Sequence, residues 1–307
     1  MLEPTSLFTW DDFVDQRTIR ARTLVVTLGS FADIGHTQRI VDTHILETLP
    51  NHVLGHFDMD QLHDYTGRRP MVVFDRDHFE QFRAPQITLH KVTDATGTDF
   101  LLLRGPEPSL QWERMSAAIA HLVAQLSVER TVLIQSMPSP APHTRPVAVS
   151  RFATASDLLP GNQPFLGTFQ VSSSFNALLT VRLGEAGHDA IGLLAHVPHY
   201  LADSEFPAGS IAVLDALRQT AGVDVPPGEL VLASAATISA VHAQVRDSEE
   251  LTEVVRALEH QYDAFAEGRN HLERAEADLP SADQLGDEAE KFLRSLGDPG
   301  AEEPDAS

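Results

Sequence analysis

Short apolar runs rich in β-branched residues alternate with helical patterns over the first two hundred residues of this 307-residue chain. Such runs predict strands at 23–28, 71–74, 87–92, 100–103, 131–134 and 191–195. Apolar residues at helical spacing predict helices at 33–49, 109–128, 178–183 and 210–221. Strands that alternate with helices are typical of a mostly parallel sheet covered on both faces, so we expect an α/β fold.

Local signals support several of these elements. Asp33 and Ser109 are expected to cap the two helices that they precede, because their side chains can accept a hydrogen bond from a free backbone N–H group. The turn at 94–97 predicts a hairpin between the strands at 87–92 and 100–103.

The end of the chain has a different pattern. Asp247 and Glu250 form a capping box at the start of an amphipathic helix that Gly268 is expected to end. A second amphipathic helix is predicted over 281–296. Both helices are very polar, so their apolar faces must be buried against the main domain, each other or another chain.

These patterns predict three parts of the chain. Residues 1–246 are expected to form the α/β domain, 247–297 a helical extension, and 298–307 a disordered acidic tail. Residues 247–307 alone carry 18 acidic and 5 basic residues, which gives a charge of −13.

Composition limits the expected partners. Acidic residues outnumber basic ones by 44 to 22, a net charge of −22, and such a surface repels nucleic acid and anionic membranes. The absence of cysteine excludes disulfides and thiolate metal sites. The first residues lack a signal-peptide pattern and no apolar run is long enough to span a membrane, so we expect a cytoplasmic protein.

The sequence lacks the common motifs for phosphate binding, catalysis and metal binding. Residues 29–37 follow a strand and open a helix, but they lack the lysine and spacing of a phosphate-binding loop. The chain has no GxSxG or HExxH motif, and its 15 histidines show no metal-ligand spacing. We therefore expect no metal, no cofactor and no catalytic residue.

Three loops, at 104–114, 137–146 and 196–208, follow strands and are rigidified by prolines. Loops at the carboxyl ends of parallel strands form the usual ligand crevice of an open α/β sheet. Trp112 is expected to be buried near the start of a helix. The candidate binding residues of this crevice are Glu107, Trp112, His143, Thr144, Arg145, His196, His199 and Tyr200.

The same three loops, in the same order, resemble the bacterial branch of the proteasome assembly chaperone 2 family. The resemblance covers about residues 20–268 and implies a three-layer α/β/α fold of the phosphorylase/hydrolase type. Relatives of eukaryotic type assist assembly of the proteasome α-ring through a C-terminal hydrophobic–Tyr–any-residue motif. Residues 303–307 read Glu-Pro-Asp-Ala-Ser, so docking by that motif is not implied for this chain.

Three hypotheses follow from these observations. The first, which we rank highest, is a non-catalytic interaction or assembly module whose partners include itself, as a trimer, and proteins such as proteasome components. The second is an enzyme or small-molecule binder that uses the crevice, with Glu107 as an acid or base and His143 and Arg145 as anion contacts. The third is a structural homo-oligomer closed by the terminal helices. An ion pair with Glu107 on the neighbouring loop would give Arg145 a structural role, as a staple between the two loops, whereas a bound ligand would make it a contact residue.

Overall fold

The computed structural model of the protein describes residues 3–29, 33–162, 168 and 170–277. Within these residues, eight strands form one sheet and two others form a separate hairpin. The strands are β1 (Phe8–Trp10), β2 (Thr23–Gly29), β3 (Asn51–Phe57), β4 (Val73–Asp75), β5 (His78–Glu80), β6 (Thr88–Thr93), β7 (Asp99–Pro106), β8 (Arg130–Ser139), β9 (Val149–Ala153) and β10 (Ala190–Pro198).

The strand order of the sheet is β1-β3-β6-β7-β2-β8-β10-β9. The central strands β7, β2, β8 and β10 run parallel, and the pairs at both ends are antiparallel, including the predicted β6–β7 hairpin. The expectation of a mostly parallel sheet is therefore correct only for its centre. The antiparallel strands β3 and β9 are only partly buried, so they lack the continuous apolar run that predicts a central strand.

Seven α-helices lie within the described residues, most of them on the two faces of the sheet. They are α1 (Thr37–Thr48), α2 (Met59–Leu62), α3 (Trp112–Gln125), α4 (Phe175–Glu185), α5 (Pro207–Ala221), α6 (Leu230–Arg246) and α7 (Glu249–Ala277).

Alternating side chains of the central strands form two cores. On one face, Leu24 and Val26 of β2 pack with Met115 of α3 and Phe175 of α4. On the other face, Val25 packs in a core with residues of α1 and α5. Burying one such side chain stabilises the fold by about 1.5–3 kcal/mol. The predicted three-layer α/β/α fold is confirmed.

Of the two predicted helix caps, the structure confirms Asp33 but not Ser109. Asp33 accepts hydrogen bonds from the N–H groups of Gln38 and Arg39, at 2.8 and 3.0 Å, and so caps the first turn of α1 as predicted. Ser109 does not cap α3, which begins at Trp112. The backbone N–H groups of Ser109 and of the next residue both donate to the Leu62 carbonyl, so this segment is held by the end of α2.

The predicted strand at 71–74 lies outside the main sheet. Its last two residues belong to β4, which pairs with β5 and with no other described strand, and the hairpin presents Phe74 and Phe79 to solvent. Apolar composition alone predicted a strand here, but it did not show which sheet the strand would join.

Helices α6 and α7 form the end of the described chain. Helix α6, which the sequence did not predict, contacts α5, and α7 contacts α6. Ser248, not Asp247, caps α7, because Asp247 ends α6. Gly268 does not end α7, since one glycine costs a helix only about 1 kcal/mol.

The apolar face of α7 is only partly covered. Val255 and Leu258 are buried, whereas Leu251 and Val254 remain exposed. The predicted helix at 281–296 and the tail at 298–307 lie outside the described residues. None of the helices in the described part of the chain is long and apolar enough to cross a membrane.

Candidate functional site

The four parallel strands of the sheet end at one edge. Gly29, Pro106, Ser139 and Pro198 are the last residues of β2, β7, β8 and β10, and the three predicted loops begin at the ends of the last three strands. The three loops therefore start at the same edge of the sheet. The candidate residues of the predicted crevice, however, are distributed over both faces of the sheet.

A cleft of about 1400 Å³ lies at this edge, on the face that carries α3 and α4. Glu107 and Trp112 line it, together with Ser150 and Phe152 of β9 and Gln135 of β8. Phe152 lies directly over Gly192 of β10, where a Cβ atom would collide with its ring. A glycine at position 192 is therefore required for this wall of the cleft.

Glu107 is buried and already has partners in the protein. Its Oε1 accepts a 2.7 Å hydrogen bond from the backbone N–H of Phe175, the first residue of α4, and its Oε2 lies 3.7 Å from Nη2 of Arg68. Arg68 also donates to the Glu107 carbonyl at 2.8 Å. A carboxylate is favoured at a helix N-terminus. Glu107 thus occupies the position in which an external anion would bind to α4.

Trp112 is half-buried, so the expectation of burial holds for one side of the indole only. Its Nε1 donates to the Pro108 carbonyl at 2.7 Å, and its ring packs edge-on against Phe175 at 6.0 Å. Trp112 therefore links the loop after β7 to α4 and also presents a surface to the cleft.

Arg145 and Thr144 contact α7, far along the chain from their own loop. Arg145 donates to both carboxylate oxygens of Asp263, at 2.8 and 2.7 Å, and lies 3.3 Å from Glu259. Thr144 donates to Glu259 at 2.5 Å. The prediction that Glu107 would be the partner of Arg145 is wrong, because Glu107 is held by α4 on the other face.

The Asp263 carboxylate and the Arg145 guanidinium stabilise each other's charged forms. Their hydrogen bonds lower the pKa of Asp263 and raise the pKa of Arg145. In addition, Tyr262 donates to the Pro146 carbonyl at 2.9 Å. The loop after β8 therefore holds α7 in place.

His143 lies beneath this contact. Its backbone N–H donates to the Tyr200 hydroxyl at 2.8 Å, and its Nδ1 lies 2.7 Å from the same oxygen. Its ring also packs edge-on against His242 of α6, at 4.8 Å. Burial, with a smaller contribution from His242, lowers the pKa of His143, and burial raises that of Tyr200. A small cavity of about 340 Å³ between His143, Thr144 and helices α6 and α7 completes this region.

The two remaining candidates differ in exposure. His199 is exposed and packs edge-on against Tyr200. His196 is buried, and its Nε2 lies 2.7 Å from Oγ of Ser150, a residue of the cleft wall. Burial lowers the pKa of His196.

The eight candidate residues do not converge on one pocket. Glu107 and Trp112 line the large cleft, and His196 borders it through Ser150. The other five lie on the side of the sheet covered by α5 and α6. Thr144 and Arg145 contact α7, and His143 packs against α6. Sequence reasoning missed Ser150 and Gln135. Cross-strand pairing could have found them, because both pair with Leu194 of β10 and share its face.

A metal site is not seen in the part of the chain that the structure describes. No group of three or more histidine, aspartate or glutamate side chains is placed there to hold a metal ion.

Comparison with solved structures shows strong similarity to two bacterial proteins. A Mycobacterium tuberculosis protein of unknown function, Rv2714, is 34% identical, with a TM-score of 0.81 over 87% of this chain and 92% of that one. A Corynebacterium glutamicum protein of unknown function is 31% identical, with a TM-score of 0.78 over 84% and 97% of the two chains. A search of curated proteins finds no match.

A third solved structure, which is less similar in sequence, carries a name that states a function. The Mycobacterium tuberculosis proteasome-assembly chaperone homologue Rv2125 is 22% identical, with a TM-score of 0.69, and covers 76% of this chain and 99% of its own. At this sequence identity the similarity shows a shared fold.

The model of the PAC2 family matches residues 27–245, a range that contains all three loops. The chain therefore belongs to the PAC2 family.

Proposed function

We propose that this protein is a cytoplasmic protein-interaction module of the assembly-chaperone type, and that it works as a homo-oligomer. Membership of the PAC2 family supports the interaction role, as does the name of the proteasome-assembly chaperone homologue that shares its fold. Proteasome components are the partner class that this family relationship suggests.

The β4–β5 hairpin is the observation that carries the proposal. Phe74 and Phe79 pack on each other at 4.9 Å, yet they are 59% and 72% exposed, and Met71 and Phe82 beside them are 77% and 59% exposed. Exposed apolar patches of this kind mark protein contact surfaces.

A second copy of this chain is the partner that we assign to the hairpin. Residues 67–83 contain four arginines and three acidic residues, a charge of +1, whereas the whole chain carries −22. A slightly basic apolar surface complements the acidic surface of another copy. The trimer predicted from the sequence is the state that we expect.

Sedimentation equilibrium at micromolar concentration tests self-association. The natural chain should sediment as a trimer, and the double variant Phe74→Ser, Phe79→Ser should sediment as a monomer with an unchanged melting temperature. Phe13→Ser is the matched control, because Phe13 is fully exposed outside the hairpin. A monomeric natural chain, or a double variant that remains trimeric, contradicts the proposal.

Capture of purified proteasome α-subunits by the immobilised full chain tests the partner class. We expect the natural chain to retain them above a bovine albumin control. Equal retention of both proteins would contradict a proteasome-related role without bearing on self-association.

A second candidate function is ligand binding in the cleft beside α3 and α4. Its size is the specific observation in favour, since about 1400 Å³ leaves room for a small molecule, whose pocket usually measures about 300–1000 Å³. Binding of apolar dyes that is weakened by Trp112→Ala, but not by Arg145→Ala, would support this function.

A further inference from the structure

Ser150 and His196 form a hydrogen-bonded pair on two antiparallel strands. The Oγ of Ser150 in β9 lies 2.7 Å from Nε2 of His196 in β10, within the distance at which a serine can pass its proton to an imidazole. His196 is 3% exposed, whereas Ser150 is half-buried and forms part of the cleft wall. The hydroxyl thus faces the cleft with the imidazole behind it.

A row of three residues extends from Ser150 across the sheet. Ser150 pairs with Leu194, and Leu194 pairs with Gln135 of β8, so all three side chains point to the face of α3 and α4. The Nε2 atom of Gln135 is buried and has no hydrogen-bond partner in the described part of the chain. Leaving such a buried donor unpaired destabilises the protein. An acceptor atom of a ligand in the cleft would relieve this destabilisation.

The protonation state of the pair suits proton transfer. Burial holds the pKa of His196 below its ordinary value, so the imidazole is neutral at pH 7 and can accept a proton. The rest of the wall favours an apolar substrate, since Trp112, Phe152 and Leu194 line it and the carboxylate of Glu107 is already paired.

We propose that Ser150 is a nucleophile activated by His196, in a site that transfers or hydrolyses the acyl group of carboxylic esters with apolar acyl chains. Oγ forms a bond to the carbonyl carbon while its proton moves to Nε2 of His196. The bond from that carbon to the leaving oxygen then breaks, and the leaving oxygen takes the proton from His196. Water attacks the acyl-serine in the same way, which releases the acid and restores Ser150.

The proposed Ser150–His196 site would give the protein a catalytic activity in addition to its proposed interaction role. It is separate from the β4–β5 hairpin. It rests on the second candidate function, ligand binding in the cleft. Because the hairpin lies outside the cleft wall described above, failure of this inference and failure of self-association are distinguishable when both are measured on the same samples.

Labelling of the full chain with an alkyl fluorophosphonate, followed by peptide mass spectrometry, tests the nucleophile. We expect the label on Ser150, no label on Ser150→Ala, and labelling at least 100-fold slower in His196→Gln. Ser204→Ala is the control, because Ser204 is exposed, lies outside the cleft wall and should leave the labelling unchanged. No label on Ser150, or an unchanged rate in His196→Gln, overturns the proposal.

A second measurement does not depend on the fluorophosphonate. The chain has no cysteine, so Ser150→Cys introduces a single thiol whose reactivity reports its surroundings. We expect it to react with iodoacetamide at pH 6.5 at least tenfold faster than the thiol of Ser156→Cys. That advantage should disappear when His196→Gln is added. Equal rates in Ser150→Cys with and without His196 overturn the proposal, and p-nitrophenyl butyrate hydrolysis that persists in Ser150→Ala does so as well.

Discussion

Arg145 and Asp263 form a bidentate ion pair between the loop after β8 and helix α7, with hydrogen bonds of 2.8 and 2.7 Å. The two residues are 118 positions apart in the sequence. Of the two roles considered for Arg145, a structural ion pair or a ligand contact, this geometry supports the structural ion pair. The planar guanidinium fork matches a carboxylate in a way that lysine cannot. The rigid, proline-rich loop thus fixes the place of α7 against the domain.

We expect Arg145→Ala to loosen α7 while the sheet stays folded. The backbone amides of 249–263 should exchange hydrogen for deuterium faster, and those of β2 and β8 should not change. Hydrogen exchange read by mass spectrometry checks this outcome. Arg218→Ala is the control, because Arg218 makes a comparable exposed ion pair within α5. Unchanged exchange in α7 would show that the ion pair does not hold the helix.

We expect Trp112→Ala to destabilise the fold by about 2–3 kcal/mol. That is less than the 3–5 kcal/mol of a fully buried tryptophan, because one side of Trp112 faces the cleft. The melting temperature should fall by about 4–10 °C. Leu110→Ala is the control, since Leu110 is half exposed and should cost less than about 0.5 kcal/mol. Thermal unfolding of both variants checks the prediction, which equal melting temperatures would contradict.

We expect the protein to lose stability as the pH falls from about 7 to about 5. Burial holds the pKa values of His90, His143 and His196 below 6.5, that of His90 at about 4. Below pH 6.5 the unfolded chain therefore binds protons that the folded chain does not, which favours unfolding. The raised pKa values of Asp33 and Asp42 act in the opposite direction, but only at the lower pH where carboxylates titrate.

His90→Gln should reduce this pH dependence, because glutamine does not titrate. Between pH 7 and pH 5 the melting temperature of the variant should fall by about 3 °C less than that of the natural chain. His199→Gln is the control, since His199 is exposed. Melting curves at pH 7, 6 and 5 check this, and parallel curves for the natural chain and His90→Gln would contradict it.

Treatment with a strong chelator should leave melting and secondary structure unchanged. The expectation rests on the lack of cysteine and of metal-ligand spacing in the sequence. Circular dichroism before and after dialysis against millimolar EDTA checks it, with added Zn²⁺ or Mg²⁺ as the reverse experiment. A drop in melting temperature of more than about 5 °C would show that a metal stabilises the fold.

The local pattern of apolar residues was sufficient to predict the strands at the centre of the sheet. Strands β2, β8 and β10 were predicted because each is a continuous apolar run, as expected for a strand buried on both faces. Helix α6 was missed, because only Ser234 and Val241 are buried along it and it shows no clear apolar stripe.

The sequence by itself determined the α/β class, the order of the central elements and the edge at which the three loops meet, because side-chain periodicity is a local property. Only the tertiary structure decided where the loop residues point. Glu107 binds the start of α4, and Arg145 binds α7 instead of Glu107. Likewise, Ser150 meets His196 only because β9 pairs with β10 in one register. A shift of one residue would turn Ser150 to the opposite face, and such register is set by long-range packing.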